Sequence, residues 1–366
     1  MSRRLFLSDI HMSAGLGLNP DGGQHLWEWF SERDCRRLCW VLDTLINTPA
    51  GPPIDEIVLL GDIFDNWIFP HDMKPPVFAD IVKSPHISGV LNRLDQISQT
   101  TGILFLPGNH DMTLTHAELM SVLPRVGYGG QGRDKPMYGA GRISGEHGNA
   151  TALFCSPDPK HPNSLPLGYF ISRLAASADR DNGSHTPSVT DIVRELGQML
   201  AKEQIAQGVF DAICEKAHVS QDADILMPDD LWGGVPVKVG QVRDAYRDLV
   251  KEYEYRNGII DAGLAIPAEL GNLAPVAAAR ILRFNSKLVL MGHTHRATVQ
   301  QHQSFPMGRS AYVNSGCWCN DTEKATWVDV NKTDNSYEVS LMGCSLMPLD
   351  GSAPTMAPLF DKFVID

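Results

Sequence analysis

Ile103-Leu104-Phe105-Leu106-Pro107-Gly108-Asn109-His110-Asp111 is the stretch on which the fold turns. Its apolar run has no polar residue alternating within it, the pattern of a strand buried on both faces at the centre of an α/β sheet. The run breaks at Pro-Gly and delivers three polar side chains together. In open α/β sheets ligands bind beyond the carboxyl ends of the strands, so Asn109, His110 and Asp111 lie where chemistry is expected.

The same grammar recurs three times. Leu5-Phe6-Leu7-Ser8 runs into Asp9-Ile10-His11, Ile57-Val58-Leu59-Leu60-Gly61 into Asp62-Ile63-Phe64-Asp65, and Lys287-Leu288-Val289-Leu290-Met291-Gly292 into His293-Thr294-His295. A single such ending reads as a helix cap or solvated turn. Four endings, all in Asp, Asn or His, read as a ligand set. His147 joins them from Glu146-His147-Gly148-Asn149.

The chain has 366 residues and an apolar fraction of 43%, enough for a sizeable core in one or two domains. Carboxylates outnumber basic side chains by 43 to 31, for a formal charge of −12. That balance disfavours sequence-independent attraction to nucleic acid or an anionic membrane. The N-terminal apolar stretch is too short for a signal-peptide core, and no run is long enough to span a bilayer. The expectation is a soluble cytoplasmic protein without a transmembrane segment. Seven scattered cysteines do not form a disulfide framework. Cys317-Trp318-Cys319 lacks the spacing of redox or zinc motifs and reads as ordinary packing.

Along the chain, Ser13 to Gln24 reads as an active-site loop. Helical spacing of apolar residues predicts helices over His25 to Thr48 and Ile81 to Thr100, covering the sheet. Residues of about 167–282 are mostly helical in pattern, clearest over Val189 to His218 and Val239 to Asn257. Both ends of this block return to strands, so it reads as a cap inserted into a single domain spanning 1–366. After His295 three short strands follow, expected to form the antiparallel edge of a second sheet.

The candidate ligands are therefore Asp9, His11, Asp62, Asn109, His147, His293 and His295. In an extended segment residues i and i+2 face one side, so Asp-x-His and His-x-His can each aim two side chains at one point. Carboxylate, amide and imidazole donors suit Mn²⁺, Fe or Zn²⁺, while the absence of thiolates argues against a structural zinc site. Seven ligands exceed what one ion needs. Two ions sharing a carboxylate, at the separation of roughly 3.5–4 Å found in two-metal hydrolases, would use them all.

Taken in order, Asp9-Ile10-His11, Gly61-Asp62-Ile63-Phe64-Asp65, Gly108-Asn109-His110-Asp111, His147-Gly148 and Gly292-His293-Thr294-His295 resemble the calcineurin-like metallophosphoesterase superfamily. The likeness spans the chain except from about Ala150 to Leu282. Phe64-Asp65-Asn66-Trp67 and Asn314-Ser315-Gly316-Cys317-Trp318 are similar in style to bacterial UDP-2,3-diacylglucosamine pyrophosphohydrolases. Asn149 stands where that group has Asp, and Met112-Thr113-Leu114 lacks its arginine, so the lipid substrate is not carried over.

The resemblance implies a four-layer α/β/β/α sandwich carrying two metal ions, Mn²⁺ first among the candidates with Fe or Zn²⁺ as alternatives. It implies that Asp9, His11, Asp62 and His295 hold one ion, and Asp62, Asn109, His147 and His293 the other. His110, oriented by Asp111, would face the substrate. The expected reaction is hydrolysis of a small-molecule phosphodiester or pyrophosphate by a metal-bound hydroxide. A phosphomonoesterase, a nuclease of the same superfamily, disfavoured by the acidic charge, and a non-catalytic metal-containing binding protein are the alternatives.

Overall fold

In the computed structural model the described residues are 2–14, 16–18, 24–26, 29–47, 52–129, 137–182, 204–304, 308–319 and 322–366. The strands, in chain order, are β1 (Ser2–Leu7), β2 (Leu16–Leu18), β3 (Gln24–Leu26), β4 (Ile54–Leu60), β5 (Gly102–Leu106), β6 (Gly127–Tyr128), β7 (Tyr138–Ala140) and β8 (Ile143–Gly145). They continue with β9 (Asp224–Ile225), β10 (Val237–Lys238), β11 (Leu288–Met291), β12 (Thr298–Ser304), β13 (Gly308–Asn314), β14 (Lys324–Lys332), β15 (Tyr337–Ser345), β16 (Met356–Pro358) and β17 (Phe363–Ile365).

Two sheets carry the architecture. The first runs β16-β15-β14-β1-β4-β5-β6, with β17 also on β15, and the second runs β12-β13-β11-β8-β7. β1, β4 and β5 are parallel neighbours, as are β8, β11 and β13. Their side chains alternate between two buried faces, which is why these runs are apolar throughout. Phe6, Val58, Leu60 and Leu106 face inward and meet Ile143, Leu288, Leu290 and Val313 of the second sheet. Leu5, Leu7, Ile57, Leu59, Ile103 and Phe105 face outward under the helices Glu32–Asn47 and Pro85–Ile97. On the far side the helix Ala274–Phe284 covers Val289, Met291 and Tyr312. Helix, sheet, sheet and helix make the expected α/β/β/α order.

Several boundaries differ from expectation for local reasons. The helix predicted from His25 starts at Glu32, because Ser31 and Asp34 form a reciprocal cap: the Asp34 amide donates to Ser31 Oγ at 3.2 Å, and the Ser31 amide to Asp34 Oδ2 at 3.2 Å. The helix predicted from Ile81 restarts at Pro85, which suits a first turn. Of the last three strands, only the first, within β13, joins the second sheet. β14 and β15 extend the first, β14 pairing antiparallel with β1 so that Phe6 opposes Val328. Their alternation seats Val328 and Val330 between the sheets and Trp327 under the helical layer.

Between β8 and β11 the helices Leu167–Asn182, Ile205–Lys216, Val239–Ala245 and Leu249–Glu269, with the β9–β10 pair, build a core of their own from Tyr169, Phe170, Leu174, Phe210, Ile213, Tyr246 and Tyr253. Trp67, from the loop after β4, is part of that core. Ala274–Phe284, near the end of the predicted insertion, packs on the sandwich. The helix expected over Val239 to Asn257 is two, parted at Tyr246 to Asp248. Parts of the expected Ser13 to Gln24 loop and of the helix from Val189 lie outside the described residues. Among the described residues no helix is long and apolar enough to cross a membrane.

Candidate metal centre

The loops leaving β1, β4, β5, β8 and β11 converge. Asp9, His11, Asp62, Asn109 and His147 are buried, and His293 and His295 are partly buried beside them. The Asp-x-His and His-x-His segments are not extended, as the sequence pattern suggested. Asp9, His11, Asp62, His293 and His295 have φ of 54°, 56°, 55°, 71° and 56°, the left-handed region that L residues rarely occupy and that clusters at functional sites.

Backbone hydrogen bonds hold this conformation. Asp9 N donates to Gly61 O at 3.1 Å, and Ile10 N and His11 N both donate to Asp62 O at 2.9 Å. Asp111 ties the second loop to the third, accepting from Gly108 N at 2.6 Å, Ile63 N at 2.7 Å and Phe64 N at 3.3 Å. Its carboxylate is thus spent on backbone amides. Asp111 was expected to orient His110; the carboxylate beside that ring is Asp65, whose Oδ1 lies 3.1 Å from His110 Nδ1 with no hydrogen bond joining them. Gly108 and Gly292 are obligatory at close approaches: a Cβ on the first would strike the Asp62 carboxylate, and on the second Ser8 and Asp9.

The donor set fits a divalent cation. His147 Nδ1 is 2.8 Å from the Leu60 carbonyl and must carry the hydrogen, which leaves Nε2 as the free donor. That buried nitrogen makes no hydrogen bond, although Asp62 Oδ2 is 3.0 Å away. His11 repeats the arrangement, its Nδ1 held by Asp65 Oδ2 at 2.8 Å and its Nε2 3.1 Å from His295 Nε2. His293 Nδ1 lies 3.1 Å from Asn109 Oδ1, and His295 Nε2 3.3 Å from Asp9 Oδ1. Carboxylates or carbonyls that fix one imidazole nitrogen and free the other are the usual support of metal-binding histidines. Three groups, Asp62 with His147 and His293, His11 with Asp62 and His110, and His11 with His295 and Cys319, each have ligand atoms within 4.8 Å of one another.

Charge in the cluster is strongly coupled. Burial raises Asp62, but His147, His110 and His11 outweigh it and hold its carboxyl well below the usual range. Burial lowers His110, yet Asp65 and Asp62 push it up to about 9; His147 rises to about 9 against burial because of Asp62 and Asp9. Burial and the neighbouring His147 push His293 down to about 3.

Three neighbours were read by default as packing, Trp67 with a pocket wall as its alternative. Trp29, taken as a helical core position, packs edge-on against His11 and His295, with ring centroids 5.2 and 5.9 Å apart. Trp67 stacks on His110 at 4.7 Å and 30°. Cys319, read as packing, sits beside His11 and His295. Its signal was available: β13 runs parallel to β11 with Asn314 beside Met291, so the residues after Asn314 form one more strand ending aimed at the site.

Residues 2–172 match the family model described as Calcineurin-like phosphoesterase, a span that includes Asp9, His11, Asp62, Asn109, His110 and His147. That match, the sandwich fold and the clustered Asp and His side chains support membership of the calcineurin-like metallophosphoesterase superfamily and a metal-dependent hydrolase fold. Among solved structures, Vps29 from Chaetomium thermophilum is similar at 9% identity and a TM-score of 0.34, over 100% of this chain and 98% of that one. A conserved predicted phosphoesterase from Streptococcus pneumoniae TIGR4 is similar at 9% identity and a TM-score of 0.29, over 98% and 97%. Likenesses this distant leave the site to be read from the chain itself. No curated protein matches.

Proposed function

We propose that this chain hydrolyses a phosphodiester or pyrophosphate linkage in a small molecule, using two metal ions. The observation that carries the reading is that strand-end loops of both sheets bring His11, Asp62, His147, His293 and His295 into overlapping groups, two of which share Asp62, with Asp9 beside His295 and Asn109 beside His293. In this reading Asp9, His11, Asp62 and His295 hold one cation, and Asp62, Asn109, His147 and His293 the other. Mn²⁺, Fe and Zn²⁺ all accept such donors. Two cations so placed would lower the pKa of a water between them and neutralise charge on the phosphoryl group.

The chain's own groups do the rest. Asp65 accepts the His11 Nδ1 hydrogen and faces His110 Nδ1 with its other oxygen at 3.1 Å, so one carboxylate stands beside two imidazoles. In the metal-free chain Asp65 and Asp62 push His110 up to about 9 against burial, which favours its protonated form. Its Nε2 lies 4.0 Å from Asp62 Oδ2, on the ligand side of the ring. From there it can donate to a phosphoryl or leaving oxygen, while Trp67 stacked on its face limits rotation. The preference for a diester or pyrophosphate over a monoester rests on analogy with the pyrophosphohydrolases whose motif style the chain shares.

The test is a hydrolysis panel of chromogenic mono- and diesters, cyclic nucleotides and nucleotide-sugar pyrophosphates. Protein reloaded with Mn²⁺ should contain about two metal equivalents and cleave diesters or pyrophosphates; chelation should abolish the activity. Full activity after exhaustive chelation would overturn the reading, and monoesters as the best substrates would overturn its diester part.

A further inference from the structure

Two side chains of the three groups stand outside the ligand sets above, His110 and Cys319, and only Cys319 has no role in the reading. Cys319 is 2% exposed, and its sulfur lies within 4.8 Å of the ligand atoms of both His11 and His295. Two donors on opposite sides of one ion stand about 4.4 Å apart, from ordinary metal–nitrogen and metal–sulfur bond lengths. Neighbouring ligands of one ion stand closer than that, so the sulfur shares an ion with both imidazoles, whose Nε2 atoms are 3.1 Å apart, once it moves toward them.

The position is fixed by the fold. Trp318 N donates to the Asp9 carbonyl at 3.0 Å, joining the segment to the loop that carries the first carboxylate. The Trp318 carbonyl accepts from the buried Arg37 at 3.2 Å, and the Trp318 ring is fully buried. With the residue on its amino side locked in this way, Cys319 has little freedom to turn from the cluster. The Cys317 thiol hydrogen-bonds with that of Cys319, so it is the rival sulfur that a test must exclude.

We propose that Cys319 is a thiolate ligand of the cation held by Asp9, His11 and His295, and that this half of the centre prefers thiophilic ions such as Zn²⁺ or Fe²⁺ to Mn²⁺. The inference rests on the metal-centre reading above and refines it. Binding would release the thiol proton to solvent, and the sulfur's electron pair would form the bond to the ion. Soft thiolate donors favour zinc and iron, whereas oxygen-rich sites suit manganese and magnesium.

The probe is Co²⁺ alone, added to chelator-stripped protein under reductant. Wild-type protein and Cys317→Ser should both show a near-ultraviolet sulfur-to-cobalt charge-transfer band. Cys319→Ser should bind Co²⁺ without that band, and its preference for Zn²⁺ over Mn²⁺ in a competition read by elemental analysis should fall by roughly 10- to 100-fold. Cobalt uptake by the wild type with no sulfur band would overturn the role of Cys319 and leave the metal centre standing. No uptake at all would overturn both. Loss of the band in Cys317→Ser, with its retention in Cys319→Ser, would overturn the assignment in favour of the other sulfur. The wild-type spectrum decides the main point even if Cys319→Ser fails to fold.

Discussion

His147 presents Nε2 to Asp62 Oδ2 across 3.0 Å with no hydrogen bond joining them, while the Leu60 carbonyl takes its other nitrogen. Without metal, burial is outweighed by Asp62 and Asp9, and the imidazole is pushed up to about 9. A cation binds only the neutral ring, so below about 9 it must displace a proton. Metal affinity should therefore rise with pH across the neutral range, by up to ~10-fold per pH unit for that proton, and level off as pH passes the raised pKa. Chelator competition at several pH values measures the slope. His147→Ala should lose one metal equivalent and flatten that rise; an unchanged slope in the variant would assign the proton to another group.

His110 and Asp65 touch, yet their removal should have different signatures. His110→Ala should keep both metals and lose about 10²–10⁴ in rate, as for a positioned acid, with esters of good leaving groups suffering least. Asp65 supports His11 as well as His110, so Asp65→Ala should lose rate and also weaken metal binding by roughly 10- to 100-fold. Metal analysis beside the leaving-group series separates the two. A metal equivalent lost from His110→Ala would make that side chain a ligand.

The strand endings were legible because a strand buried on both faces is an apolar run that must stop where its backbone leaves the sheet. The polar residues at those stops stand out against four or five apolar neighbours. Asp65, three residues after Asp62, was legible as either a support for the ligands or a helix cap, though not its partner, the ring of His11; the bonds of Asp111 to the amides of Asp62, Ile63 and Phe64 were not legible, since they join groups distant in sequence. The left-handed backbone of the Asp-x-His turns was hidden for the same reason, being imposed by bonds such as His11 N to Asp62 O. Helix starts were readable in principle, Ser31 with Asp34 being a capping pair, but apolar spacing upstream at Leu26, Trp29 and Phe30 masked it. Sheet membership of β14 and β15 depends on pairing with β1, which alternation alone cannot assign.

Arg173 is fully buried and faces backbone carbonyls rather than an acid. Its guanidinium donates to Phe69 O at 2.6 Å, Pro70 O at 2.8 Å and Leu226 O at 2.7 Å, and also to Met73 O and the Tyr169 hydroxyl. It thereby pins the loop after Asp65, with Trp67 in it, to the helical cap. A lysine has three donors and no planar fork, so Arg173→Lys leaves carbonyls unpaired and should destabilise the protein by roughly 3 kcal/mol or more. A denaturant titration measures this. Because Trp67 stacks on His110, the turnover rate should also fall while metal content holds. Metal loss in step with stability would mean the loop supports the centre as a whole.

Glu269 joins the cap to the core from the other side. At the end of the helix Leu249–Glu269, its carboxylate accepts from Phe154 N at 2.9 Å and faces the Cys155 thiol. Burial pushes its pKa up to about 7, outweighing the Phe154 amide and the Cys155 thiol, which lower it. The folded pKa therefore lies above the ordinary glutamate value of 4.5. The neutral acid is favoured in the fold, so its stabilising effect is complete below pH 4.5, shrinks as pH rises, and is gone above about 7. This group should contribute a decline of roughly 1–3 kcal/mol in unfolding free energy over that window. Glu269→Gln keeps a carbonyl oxygen for the Phe154 amide and cannot ionise. The variant should match wild-type stability at the acid end of the window and exceed it at neutral pH, as denaturant titrations at several pH values would show. An equal pH slope in variant and wild type would place the titration elsewhere.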